Sequence, residues 1–140
     1  MIDIKELREN PELFRESARA RREDPGVVDA ILKADEARRS AINEFERLRS
    51  EQNTLSKSVG AAKGDEKQAL LAKAKDLAAE VKVADAKRAE LDEAFLATVK
   101  LISNRVSPNA PIGGEEDFKE IERIGTPRDF AKEGFEPKDH

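Results

Sequence analysis

The residues of this chain best equipped for chemistry are cations, and the chemistry they offer is binding. Arg47, Arg49, Lys57, Lys63, Lys67, Lys73, Lys75 and Lys82 share the stretch from Arg47 to Lys82 with Glu51, Asp65, Glu66, Asp76 and Glu80. Eight cations against five anions give that stretch a formal +3, while the whole chain is −4. Guanidinium and ammonium groups spaced along a helix can meet phosphates through charge alone. A solvated helix surface of mixed charge would contain the same residues, so the charge count by itself does not choose between the two.

Other chemistries fail on residue types. The chain has no Cys, hence no thiolate and no disulfide, and its one imidazole is His140, the last residue. Gly113-Gly114 runs into Glu115, Glu116 and Asp117, so a phosphate cradled there would meet three carboxylates where a phosphate loop supplies a Lys. The remaining Asp and Glu residues are spread along helix surfaces, without His or Cys at metal-ligand spacing. We therefore expect no catalytic and no metal-binding residue.

The elements that would position the cations are written in a strict heptad pattern. Val27, Ile31, Ala34, Arg38, Ala41, Phe45, Leu48, Gln52, Leu55 and Val59 alternate four and three residues apart, as in a coiled-coil seam. Leu70, Ala74, Leu77, Val81, Ala84, Arg88, Leu91, Phe95, Thr98 and Ile102 repeat the spacing. Folding the chain back at Gly64 brings the tracks together layer by layer: Val59 with Leu70, Phe45 with Ala84, Ala34 with Phe95, Val27 with Ile102. Every such pair has the same sum of residue numbers, and large side chains face small ones. Two ordinary amphipathic helices of a bundle would seldom need so strict a repeat. At the polar layers Arg38 faces Leu91, Arg88 faces Ala41 and Gln52 faces Leu77. These are expected to fix register, with the Arg heads emerging toward Glu44 or Asp92.

The fold class expected is all-α: a long antiparallel two-helix coiled-coil arm with two short N-terminal helices at its base. Asp3 and Glu6 have capping-box spacing, and Asn10-Pro11 ends one short helix and starts the next, with Ile4, Leu7, Leu13 and Phe14 on the buried side. Asp24 caps the first long helix, with Pro25 its first residue. The long helices are expected at about 25–60 and 66–103, the second capped by Asp65 with Gln68. Residues 1–110 form the arm domain and 111–140 a mostly irregular linker, holding at most a short strand over 117–125. Charged residues at 40% and aromatics at 4% leave too little apolar mass for a large close-packed core. Met1 leads directly into a charged helix without an apolar signal or membrane-spanning segment, which predicts a cytoplasmic location.

The stretch Arg49-Ser50-Glu51-Gln52-Asn53-Thr54-Leu55-Ser56-Lys57-Ser58-Val59-Gly60 resembles the "R-x-x-x-N-x-L-S-K-x-(I/V)-G" segment in the N-terminal arm of bacterial seryl-tRNA synthetases. The opening Met1-Ile2-Asp3-Ile4-Lys5-Glu6-Leu7-Arg8-Glu9-Asn10-Pro11-Glu12 is similar to that family's start. Ile102-Ser103-Asn104 before Pro108 and a Gly pair is similar to its arm exit, apart from the intervening Arg105-Val106-Ser107. Phe135-Glu136-Pro137-Lys138-Asp139-His140 resembles the segment on which its catalytic domain begins. The likeness runs over the whole chain.

The resemblance implies a tRNA-binding arm of serine–tRNA ligase, a class II aminoacyl-tRNA synthetase, cut off before the catalytic domain and inactive alone. It implies a homodimer built through the missing domain, a monomeric fragment, and ATP and Mg2+ for the full-length enzyme only. The arm would lie against the long variable arm and elbow of serine tRNA. Arg47, Arg49, Lys57, Lys63, Lys73, Lys75 and Lys82 are the expected phosphate contacts, with Asn53 and Ser56 as partners for ribose 2′-hydroxyls or backbone. The family motif supports Arg49, Asn53, Ser56 and Lys57 most directly. A coiled-coil arm that binds a protein, as interaction module or chaperone, is the alternative.

Overall fold

A computed structural model describes residues 2–136 and 138. Four α-helices follow in order: α1 (Ile4–Glu9), α2 (Pro11–Ala20), α3 (Gly26–Ala61) and α4 (Gly64–Val99). A single 3-10 turn comes later, at Glu115–Asp117. The chain divides into a unit over Met1–Ser107 and a second over Pro108–His140.

The short helices start as their caps dictate. The Asp3 carboxylate accepts from the amides of Lys5 and Glu6, and Pro11 occupies the first turn of α2, where a missing amide costs nothing. At its C-terminus α2 closes with a Schellman arrangement: the amide of Glu23 donates to Ala18 and that of Arg22 to Arg19. Arg22 pays for that closure with φ at 61°, the left-handed region where a Cβ is strained. Asp24 does not head α3 as expected, since Pro25 holds the cap position, but its carboxylate accepts from the Gly26 amide at 2.8 Å.

Each long helix has 36 residues, so the arm is about 54 Å long at 1.5 Å per residue. They are joined only by Ala62 and Lys63, and a link this short forces them antiparallel. Gly64 opens α4 at φ 59°, a value open to glycine without strain. That conformation carries the reversal without help from Asp65. The expected capping box at Asp65 and Gln68 is thus not used: Lys63 stands at the cap and no side chain closes it. At the far end α4 stops at Val99, short of 103, where Lys100 and Leu101 turn the chain.

Burial follows the seam. Every residue of both heptad tracks is buried or half-buried, whereas between Lys63 and Glu80 only Leu70, Ala74 and Leu77 escape full exposure. Outward of Asp35 and short of Phe95, the two buried side chains among the described residues are Leu48 and Val81. The expected heptad register would set those two opposite each other.

The base is a second, three-sided core. Leu7, Phe14, Val28, Ile31 and Phe95 pack together, flanked by Ile2, Ile4, Val27, Leu32, Ala34, Val99 and Ile102. Removing about five large side chains from water stabilises helices too short to stand alone. Leu13, expected inside, is 44% exposed because it falls on the outer side of α2 relative to Phe14 and Ser17. The returning chain is pinned there too: Arg21 donates to the Asn104 carbonyl, Ser103 to Glu23, and the Val106 amide to Ser17.

In the second unit the strand expected over 117–125 does not form. Glu115 to Asp117 take the 3-10 turn, closed by the Gly114 amide on the Asp117 carboxylate, and residues 118–124 run on without a partner. A strand needs a second edge to pair with, and Phe118, Ile121 and Ile124 remain 75%, 92% and 87% exposed. Gly113 is required at that turn, because a Cβ on it would stand 2.1 Å from the Asp117 carboxylate. Phe130 and Phe135 pair their rings at 5.6 Å around a turn.

Candidate nucleic-acid interface

The seam fixes which way every other side chain on the arm points. On α3, Arg49 and Ser56 lie four residues beyond seam residues Phe45 and Gln52, and Asn53 lies one beyond, which places all three on one flank. On α4, Lys75 and Lys82 lie one beyond Ala74 and Val81, on the corresponding flank. The two flanks belong to the same side of the arm. Arg38 demonstrates this by reaching both Asp35, four beyond Ile31 on its own helix, and Asp92, four beyond Arg88 on the other, each at 3.3 Å.

Arg47 and Lys73 occupy the opposite side, while Lys57 stands at the back of α3 and Lys63 in the turn at the tip. The fold therefore groups five of the expected site residues, Arg49, Asn53, Ser56, Lys75 and Lys82, and separates the other four. All nine are exposed.

Their electrostatic states differ sharply. Arg47 is clasped by Glu44 and Glu51, one turn before and one turn after it on its own helix, with Nη2 to the Glu44 carboxylate at 2.6 Å. Those carboxylates hold the guanidinium above its usual range, and Arg47 in turn holds the Glu44 carboxyl below its ordinary value of 4.5. Among the described residues Arg49 donates to the neutral Gln52 side chain, at 2.9 Å. Lys57, Lys63, Lys67, Lys73, Lys75 and Lys82 make no ion pair with any described residue. Toward the base, by contrast, Arg8, Arg15, Arg19, Arg38, Arg88 and Arg105 all pair with carboxylates. Ser56 donates to the Gln52 carbonyl at 2.8 Å, which leaves its oxygen lone pairs available as acceptors.

At the polar layers of the seam one expected partner, Asp92, is used and the other, Glu44, is not. Arg38 goes to Asp35 and Asp92, and Arg88 to Asp85, while Glu44 is taken by Arg47. Each guanidinium also covers the phenylalanine of the opposite helix, Arg38 over Phe95 at 4.6 Å and Arg88 over Phe45 at 5.1 Å. Reasoning from the sequence missed the two aspartates. The signal was present as a repeat, Asp35-x-x-Arg38 with Phe45 and Asp85-x-x-Arg88 with Phe95, identically spaced on the two helices.

Among the described residues no three of His, Cys, Asp and Glu are grouped so as to hold a metal ion, and no helix is long and apolar enough to cross a membrane. His140 lies outside the described residues. The arrangement offers exposed cations and neutral hydrogen-bonding groups on a two-helix support.

Residues 1–106 match the family described as seryl-tRNA synthetase N-terminal domain. The chain is 52% identical over its whole length to the serine–tRNA ligase of Micrococcus luteus and 52% identical to that of Kocuria rhizophila. To the serine–tRNA ligase of Streptomyces coelicolor it is 51% identical, again along the full chain. In each case the chain spans about a third of the relative's length: 33%, 32% and 33% respectively.

Proposed function

The chain belongs to the seryl-tRNA synthetase N-terminal domain family, and from that premise we propose that it is the tRNA-binding arm of a serine–tRNA ligase. On this reading it recognises the long variable arm and elbow of serine tRNA, so that a longer protein can attach serine to that tRNA. The observation that carries the reading is the unpaired cationic tip of a rigid arm about 54 Å long. Lysines already paired in the folded state would have to break those pairs to bind phosphate, and these do not. A two-helix rod is also too thick to enter the deep, narrow major groove of an RNA helix. It can lie along the backbone and the shallow groove, reading shape through phosphates and ribose hydroxyls.

The longer protein is read as a class II enzyme acting in the cytoplasm and dimerising through parts this chain does not span. ATP and Mg2+ are read as belonging to those parts. The arm itself is read as a monomer without catalytic activity, because its two apolar tracks already satisfy each other within one chain. Sedimentation at micromolar concentration is expected to give a single species of 15.6 kDa.

The test is binding of transcribed serine tRNA to the 140-residue chain. Deleting the long variable arm is expected to weaken binding far more than changing the anticodon. Equal affinity for the shortened tRNA would leave the protein-interaction arm as the better reading.

A further inference from the structure

The proposed RNA-binding role leaves open which side of the arm does the binding, and the two sides differ in charge. On the side that carries the N-terminal helices lower down, the distal positions are Arg49, Asn53, Ser56 and Gly60 on α3. Those on α4 are Gln68, Leu71, Lys75, Ala78 and Lys82. From Arg49 and Lys82 outward they include three cations and no carboxylate; the next positions toward the base on this side are Glu46 and Asp85, the latter held by Arg88. The opposite side presents Arg47, Glu51, Thr54, Ser58 and Ala61 on α3, and Ala69, Lys73, Asp76, Glu80 and Val83 on α4. There two cations stand among three carboxylates, and one of the cations, Arg47, is already neutralised.

We propose that the arm is one-sided: the face bearing Arg49, Asn53, Ser56, Lys75 and Lys82 docks on RNA, and the face bearing Arg47 and Lys73 stays in solvent. The proposal rests on the tRNA-binding reading and adds to it a direction of approach. Charge decides first. A phosphate drawn to the opposite side would pass within a turn of Glu51, Asp76 or Glu80, and repulsion there offsets what Lys73 supplies. Residue type decides next. Asn53, Ser56 and Gln68 are neutral side chains able to donate to or accept from ribose hydroxyls, the groups a helical RNA presents in its shallow groove. Size contributes as well: Ser56, Gly60 and Ala78 are small, and nothing lies within 4 Å of a Cβ built on Gly60, so a nucleic-acid backbone can approach the helices closely. Lys57 and Lys63, at the edge and the tip, can reach the same ligand from its border.

The experiment measures affinity of the 140-residue chain for a transcribed tRNA with a long variable arm as a function of salt. It compares Arg49→Ala, Lys75→Ala and Lys82→Ala with Lys73→Ala. All four positions are exposed, so unchanged thermal unfolding by circular dichroism should accompany each substitution. The three substitutions on the docking face are each expected to lower the magnitude of the log–log salt slope by about one, and Lys73→Ala to leave it unaltered. Lys73→Ala acting as strongly as the other three would overturn the one-sided face while leaving the RNA-binding tip intact. If all four variants bind like a binding-competent unaltered chain, the face is lost; if the unaltered chain shows no saturable binding at low salt, the RNA-binding reading is lost with it.

Discussion

The guanidinium carbon of Arg38 stands 4.6 Å from the centre of the Phe95 ring, and Arg88 repeats the contact with Phe45 at 5.1 Å. The two contacts are related by an approximate two-fold axis between α3 and α4, with Asp35 and Asp85 steadying the respective arginines from the preceding turn. Arg38 Nε is buried without a hydrogen-bond partner, as expected for a guanidinium laid along a ring. Because the pairs cross between helices, they penalise any slip of one helix against the other. Phe95, 6% exposed, lies in the basal core, whereas Phe45 is half-buried. Phe95→Ala should therefore cost roughly 3 to 5 kcal/mol and Phe45→Ala roughly 2 to 4, toward the lower figure. A double-mutant cycle on Arg88 and Phe45, followed by thermal unfolding, should return a coupling of about 0.5 to 1 kcal/mol. Strict additivity would show that the crossing contact contributes nothing.

Asp35 is 2% exposed and is reached by Arg8 Nε at 2.8 Å and by Arg38, so it ties α1 to the arm. Asp35→Ala removes the one acceptor that both cations share. Both arginine heads keep some access to water, so the loss should fall below that of a fully buried pair, at roughly 2 kcal/mol. Faster amide exchange in α1 with little change at the arm tip is the expected signature.

Arg22 offers a change in the other direction. It holds the left-handed position of the Schellman turn, where glycine is free of strain. Arg22→Gly should raise stability by about 0.5 kcal/mol, the relief of strain being partly offset by the greater freedom of glycine in the unfolded chain. Urea midpoints of the two proteins measure it.

The two long packed helices, the seams along which they bury and the base's outline were readable from the sequence because a seven-residue repeat leaves few ways to pack two helices. Leu48 and Val81, which the expected register sets opposite each other, are both buried. Helix ends were less legible. Gly64 adopts a positive φ that supplies the turn by backbone geometry, so the side-chain cap expected from Asp65 and Gln68 has no role. At the site, residue types identified the cations but not their states: only the structure distinguishes Arg47, held by Glu44 and Glu51, from unpaired Lys75 and Lys82. The segment 117–125 carries apolar residues typical of a strand, and a strand is decided by a partner that local sequence does not contain.

Acid titration follows from the Glu44–Arg47 contact. Hydrogen bonding to Arg47, followed by its charge, lowers the Glu44 carboxyl in the folded chain, so the contact stabilises the helix above the ordinary value of 4.5. That contribution is lost as pH falls through the lowered value. Glu12, held by Arg19 and Arg15, behaves alike. NMR titration should place both carboxyls below 4.5, and Arg47→Ala should return Glu44 to its ordinary range without moving Glu12.

The most direct test of the RNA-binding tip is the salt dependence of serine tRNA binding. Arg49, Lys75 and Lys82 on one face, with Lys57 at its edge and Lys63 at the tip, allow about four to five phosphate contacts. The logarithm of affinity should then fall against the logarithm of salt with a slope of roughly −3 to −5. Arg49→Ala should lower its magnitude by about one, and Lys5→Ala, at the base of the arm, should leave it unchanged. A slope near zero, or one indifferent to Arg49, would contradict the assignment of the cationic tip to RNA.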